Sequence, residues 1–245
     1  MKESDTISIE ELKQKLNEAE NEKKALFKLI SHDLRSPFNK VFALVNLIKM
    51  SDDQITDEQA KYLNMIELVI SDSLGKMQNL MELRSIEGNG ISTLYEKLNL
   101  SKLIQQSIDN HISSAQRKNI NIFFEAQPVS LKTAKLSCLR ILDQILSNAI
   151  KFSPADSDIA VAIEETELDV HVHITDAGYG IAVEEQPNLF KKFTILSPRP
   201  TGGESATGIG LYIVQYMAKN IGGSITYENS GKSTFSLRLP KSGKV

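Results

Sequence analysis

Cysteine is nearly missing: Cys138 is the only one in 245 residues. An internal disulfide is therefore excluded, as is a CxxC metal pair, and such usage suits a reducing compartment. Its setting, the apolar run LSCLRILDQIL, marks it as a small core residue. Long apolar runs are lacking too. No stretch approaches the roughly 18 residues of a spanning helix, and the charged N-terminal segment does not read as a signal peptide. Nor is there an excess of one charge. A formal net charge of -3 gives no electrostatic ground for nucleic acid or an anionic membrane as partner. Internal repeats and low-complexity segments are absent as well. What remains is 41% apolar and 24% charged residues, the balance of a soluble globular protein, with room for one large or two ordinary domains. A cytoplasmic location is expected, either free or as the cytoplasmic part of a larger, membrane-anchored parent.

The first half is helical in pattern. Ile9, Leu12, Leu16, Ala19, Lys23, Leu26 and Ile30 follow alternating steps of three and four, a heptad seam with one polar interruption. The seam runs into FKLISHDLRSPFN, Phe27 to Asn39. At about 100° per residue, Leu26, Ile30, Leu34, Val41, Val45 and Ile48 share one side, and His32 lies roughly 160° away. A core histidine would sit in the apolar stripe; this one belongs to the polar face. Pro37 cannot donate to the carbonyl of Asp33, so the helix should bend after His32. A turn at SDDQITDEQ follows, with Thr56 as N-cap of a second long helix from Asp57 to about Ser85, ended by EGNG. Two long helices with a short connection make an antiparallel hairpin whose apolar face is too wide to cover alone. Pairing with a second copy gives a four-helix bundle, so a homodimer is expected.

The texture changes at Leu94. A helix over 101–117, a strand in NINIFFEA, a helix over 136–152 and a β-hairpin of DIAVAIEET and ELDVHVHITDAG come in turn. A last helix over 211–220 and the strands SITYEN and STFSLRLP close the chain. The pattern is an α+β domain with one mostly antiparallel sheet backed by helices. His171 and His173 face away from Val170, Val172 and Ile174. Their spacing would suit a metal, but a solvated sheet face is the favoured reading.

Three motifs here can be gathered around one nucleotide. In QILSNAIKF, Gln144 and Asn148 lie one above the other on a helix, and Lys151 is a turn beyond. Amide oxygens suit Mg²⁺ where phosphate and water complete the shell, and the lysine suits phosphate. Solvated polar residues on an amphipathic helix are the competing reading. In DAGYG, Asp176 ends a strand, and Gly178 and Gly180 let backbone turn close to a ligand. The carboxylate accepts from an amino group such as adenine N6 and repels the carbonyl of guanine. In TGIGL, Thr207, Gly208, Gly210 and Leu211 open a helix whose backbone N–H groups form a phosphate site. The polar stretch SPRPTGGESA before it reads as a lid, with LFKKF, including Phe193, pinning its base. Packing in the core is an equal alternative for those phenylalanines. Arg199, Lys191 and Lys192 are candidate phosphate contacts.

The series SHDLRSPFN, SNAIKFS, DAGYGI, LFKKF and TGIGL resembles the two-domain core of sensor histidine kinases of two-component systems, from about residue 22 to Pro240. The heptads make 1–21 a coiled-coil-like signalling helix, and the resemblance implies a dimerisation and histidine-phosphotransfer hairpin (22–90), a linker (91–97), and a catalytic ATP-binding domain of the gyrase-like ATPase superfamily (98–245). It implies His32 as phosphoacceptor and Asp33 as its base. Asn148 would hold Mg²⁺ with Gln144, Asp176 would read adenine, and Gly178, Gly180, Gly208 and Gly210 would shape the pocket. Lys151, Phe152, Phe193, Thr207 and Leu211 fall in the matching nucleotide motifs. A response-regulator receiver domain is the implied partner, ATP and Mg²⁺ the implied cofactors. Two departures stand out. Ser36 occupies a position where threonine or asparagine commonly orients water for dephosphorylating the regulator, and Gln144 replaces a common asparagine. Gyrase-type ATPases usually carry a glutamate four residues before the Mg²⁺ asparagine, and glutamine cannot take water's proton. Gln144 therefore speaks against direct hydrolysis; a dimeric signalling scaffold with little nucleotide binding is the remaining alternative.

Overall fold

A computed structural model describes residues 14, 38–50, 55–88, 94–125, 127–202 and 206–242. His32, Asp33 and Ser36, with the N-terminal heptads, lie outside the described residues. The chain divides into two compact units, Met1–Arg84 and Ser85–Val245.

In the first unit, α1 covers 38–50 and α2 runs Asp57–Gly88. The start of α2 is a reciprocal cap: Gln59 N–H donates to Thr56 Oγ1 at 3.2 Å, and Thr56 N–H donates to Gln59 Oε1 at 2.9 Å. Two N-terminal donors are thereby satisfied, with Asp57 and Glu58 complementing the helix dipole. Lys49 of α1 bridges to α2 through Asn64 at 2.8 Å and Glu67 at 2.8 Å. Val45, Leu63 and Ile70 are buried, whereas Leu44, Leu47, Ile48, Met65, Ile66 and Val69 face solvent.

The second unit contains β1 (Tyr95–Asn99), α3 (Leu100–Gln116), β2 (Asn121–Phe124), β3 (Ser130–Ala134), α4 (Lys135–Phe152), β4 (Asp158–Glu165) and β5 (Asp169–Asp176). A short 3-10 turn (Gln186–Asn188), α5 (Gly210–Asn220), β6 (Ser224–Asn229) and β7 (Ser233–Pro240) complete it. Five strands form one sheet in the order β2-β4-β5-β7-β6; only the β2–β4 pair is parallel. Strict alternation in β5 and β7 sends Val170, Val172, Ile174, Phe235, Leu237 and Leu239 to one face, where they are buried. Helices α3, α4 and α5 cover that face, and Ile141, Leu142, Ile145, Leu146 and Ala149 recur at helical spacing as the buried side of α4. Cys138 is fully buried among them, and desolvation pushes its thiol up to about 12. It is a core residue and inert as a nucleophile.

The outer sheet face carries His171 and His173, stacked with centroids 6.1 Å apart. His173 Nδ1 lies 2.8 Å from Ser236 Oγ. No cluster of three metal-ligating side chains occurs among the described residues.

One expected boundary needs correction. The stretch 91–97 reads as a linker, yet Tyr95–Asn99 is a strand paired antiparallel with β3, Tyr95 opposite Ala134 and Asn99 opposite Ser130. The second unit therefore begins to fold before residue 98. Asn99 then caps α3, its Oδ1 accepting from Lys102 N–H at 3.0 Å.

Candidate nucleotide site

The site is built where α4, the end of β5 and the start of α5 meet. β5 delivers Asp176 to its last position, 3% exposed. Gly178 N–H donates to its Oδ1 at 2.8 Å, and Ser233 supplies a side-chain hydrogen bond. Burial dominates over both bonds and raises the carboxyl above its ordinary range. Gly178 fits a gap no other residue fits. A Cβ there would lie 2.7 Å from Asp176 Oδ1 and 3.1 Å from the Phe152 carbonyl. The turn after β5 is thus laid against the C-terminal end of α4, which joins the DAGYG and SNAIKF motifs. Gly180, at φ +72°, abuts the side chain of Asn229, and Ile181 N–H donates to Tyr227 Oη at 2.8 Å, fixing the rest of the loop to β6.

The third motif meets the first at the other end. A Cβ on Gly210 would lie 2.7 Å from Gln144 Nε2, so α5 begins directly against the amide of α4. Gln144 Nε2 donates to Asn148 Oδ1 at 3.2 Å, leaving that oxygen a second lone pair. The two amides expected from their spacing to share a face do so. No side chain caps the N-terminus of α5, where Ile209 is the cap residue, so the first N–H groups are available to an anion. Gly208 adopts φ +65° with the Thr194 backbone N 2.6 Å from where a Cβ would sit. TGIGL is thereby pressed onto the end of LFKKF. Lys151, Phe152, Thr207 and Leu211 are each half-buried.

LFKKF behaves differently from its sequence reading. Leu189 is buried and Phe190 half-buried, but Phe193 is 64% exposed and sits at φ +59°. Phe193 does not pin the following segment by packing. Polar contacts do so instead: Glu185 Oε1 accepts from Ser197 N–H at 2.9 Å and Ser197 Oγ at 2.8 Å, and Thr201 N–H donates to the Lys151 carbonyl at 2.9 Å. Lys191 is engaged with Asn188 at 2.7 Å, and Lys192 lies over the Tyr212 ring at 4.7 Å. Sequence reasoning passed over Glu185 and Thr201 because both read as solvated loop residues.

Chemically, the arrangement offers a buried acceptor for an amino group, two side-chain amides for a hard cation and a helix N-terminus for phosphate. An adenine nucleotide with Mg²⁺ fits the chemistry of these groups: the buried Asp176 carboxyl, the Gln144–Asn148 amide pair and the start of α5 without a side-chain cap. No carboxylate stands at 144 to activate water.

Residues 133–243 match the family model described as histidine kinase-, DNA gyrase B-, and HSP90-like ATPase. Among curated proteins, the sensor protein GacS of Pseudomonas syringae pv. syringae is 27% identical over 227 residues, covering 86% of this chain and 24% of GacS. The aerobic respiration control sensor protein ArcB of Escherichia coli K12 is 29% identical over 233 residues, 91% of this chain and 29% of ArcB. The chain thus spans only about a quarter of the length of these relatives. In fold, it is similar to the histidine kinase AdeS of Acinetobacter baumannii, with TM-score 0.58 at 21% identity, over 86% of this chain and 98% of that one.

Proposed function

We propose, starting from a chain homologous to sensor histidine kinases and carrying an ATP-binding domain of their type, that it is the core of an ATP-dependent protein histidine kinase. It autophosphorylates at His32 and passes the phosphoryl group to an aspartate of a response-regulator receiver domain. The observation that carries this reading is the meeting of three nucleotide motifs around α4 with glutamine, not glutamate, at 144. Asp176 binds the adenine amino group, and the N-terminus of α5 with Lys151 binds the phosphates. Asn148 and Gln144 hold Mg²⁺, which when bound neutralises the charge that develops on the β- and γ-phosphates. The imidazole nitrogen of His32 attacks the γ-phosphorus in line as the bond to the bridging oxygen breaks and ADP departs. Asp33 takes the imidazole proton. The solvent-facing Leu44, Leu47, Ile48, Met65, Ile66 and Val69 support a homodimer in which two hairpins cover one another. Ser36, with a hydroxyl that can hold water, serves any dephosphorylation of the regulator. The reaction belongs on the cytoplasmic side, whether or not the parent protein is anchored in a membrane.

The test is incubation with γ-labelled ATP and Mg²⁺. An acid-labile, base-stable label that disappears in His32→Ala is expected. Measurable ATP binding without any label would refute the kinase reading.

A further inference from the structure

Lys118, in the turn between α3 and β2, lies outside every motif singled out in the sequence, yet it reaches the end of α4. Its Nζ donates to the carbonyls of Ile150 at 2.7 Å and Lys151 at 2.9 Å, and to Thr201 Oγ1 at 2.7 Å. Thr201 in turn donates from its N–H to the Lys151 carbonyl at 2.9 Å and from its hydroxyl to the Ser153 carbonyl at 2.5 Å. The turn that presents Lys118 is itself held: Asp156 N–H donates to the Lys118 carbonyl at 3.0 Å, and Asn119 Nδ2 donates to Asp156 Oδ1 at 2.6 Å. The last carbonyls of a helix lack partners within it, and a cation there also complements the dipole. An ammonium has three donors arranged as a tripod, and here three acceptors from two segments surround it.

We propose that Lys118 is a positioning residue for the nucleotide site: with Thr201 it fixes the end of α4, and so sets Lys151 and the Phe152 carbonyl against Gly178 and Asp176. The inference rests on the nucleotide reading of that site. Phe152 is the link, because its carbonyl lies where a Cβ on Gly178 would touch it, and Gly178 N–H holds the Asp176 carboxylate. Lys118 does not touch the nucleotide in this scheme; it acts through the backbone that carries Lys151 and abuts Gly178.

The experiment combines ATP titration of the full chain with amide hydrogen exchange in the absence of nucleotide. Lys118→Met and Thr201→Val are each expected to weaken ATP binding roughly tenfold, the scale of a lost charge-assisted hydrogen bond. The double variant should be no weaker than either single one, because both remove the same linkage. Lys118→Arg should fail to restore affinity, since a planar fork cannot reproduce a tripod, whereas Thr201→Ser should bind as the wild type does. In the nucleotide-free protein, Lys118→Met should speed exchange at the amides of Ser153 and Thr201. Unchanged exchange there overturns the proposal whatever ATP does. Faster exchange with unchanged ATP affinity leaves Lys118 merely structural and overturns it too, as does full rescue by Lys118→Arg. A wild-type chain that fails to bind ATP would sink the nucleotide reading itself, a result separate from the exchange measurement.

Discussion

Asp176→Asn should make the protein more stable and weaken its binding of ATP. The carboxylate is 3% exposed at the end of β5, and burial raises its pKa more than the bonds from Gly178 and Ser233 lower it. A carboxyl whose folded pKa is raised favours the protonated form in the native state. Its contribution to stability is full below the unfolded value of 3.8 and is lost as pH rises through the elevated folded value. As pH rises above the unfolded value, the buried carboxyl therefore weighs increasingly against the fold. Asparagine keeps the shape and an oxygen for Gly178 N–H while removing the charge. Each kcal/mol so released raises the melting temperature by about 2–4 °C for a domain of this size. Binding should move the other way. In the proposed binding mode, the amide that replaces the second oxygen would be a donor facing the donor of adenine N6. Losing a hydrogen bond to a charged group costs about 1.5–3 kcal/mol, roughly 10- to 150-fold in affinity. Thermal unfolding followed from pH 7 downward, beside calorimetric ATP titration, tests both halves. The stability advantage of the variant should shrink as pH approaches 3.8. A variant less stable than wild type at neutral pH, an advantage that does not vary with pH, or unchanged ATP affinity would each refute the reasoning.

Four further outcomes are expected. Gly208→Ala forces an L residue to φ +65° against rigid Thr194 backbone; it should lower stability by about 1–3 kcal/mol and abolish ATP binding, as read by denaturant titration and calorimetry. Gly210→Ala meets only the movable end of Gln144, so the fold should persist while Mg²⁺-dependent ATP binding weakens, visible by titrating with and without the cation. In the helical unit, Val69→Glu places a charge on the exposed apolar surface and should turn a dimer into a monomer by light scattering without changing ATP affinity, whereas Thr56→Ala removes the reciprocal cap of α2 and should cost that unit about 1 kcal/mol.

Much of the second unit could be read from periodicity because its core follows single-element rules. The alternation of β5 and β7 and the helical recurrence of Ile141, Leu142, Ile145 and Leu146 each declare a buried face without reference to a partner. The pair β1 and β3 escaped for the opposite reason. YEKLN and SLKTA are short and carry lysines, and only their mutual register, Lys97 opposite Lys132, makes them strands. The site divides the same way. Gln144 and Asn148 meet through helical spacing alone, but the approach of Gly210 to Gln144 and of Phe152 to Gly178 depends on how separate elements pack. Phe193 misled because aromatic residues usually pack, and its exposure depends on a left-handed backbone that its type does not announce. Lys118 could not be found at all: a lysine after a helix reads as solvated until the carbonyls it reaches are known.

The place of β7 in the sheet has a consequence for biosynthesis. The final strand lies between β5 and β6, not at an edge. A nascent chain that has emerged through Asp176 holds a finished β4–β5 hairpin whose other side stays bare until residues 177–232 have been made and β7 arrives. During that interval the open rim of β5 is a template for the wrong strand, including that of a neighbouring chain. The segment bearing His32 leaves the ribosome long before then. Premature termination anywhere ahead of Ser233 would thus release the segment bearing His32 joined to a sheet that lacks an inner strand, and quality control would meet it as an aggregation-prone fragment.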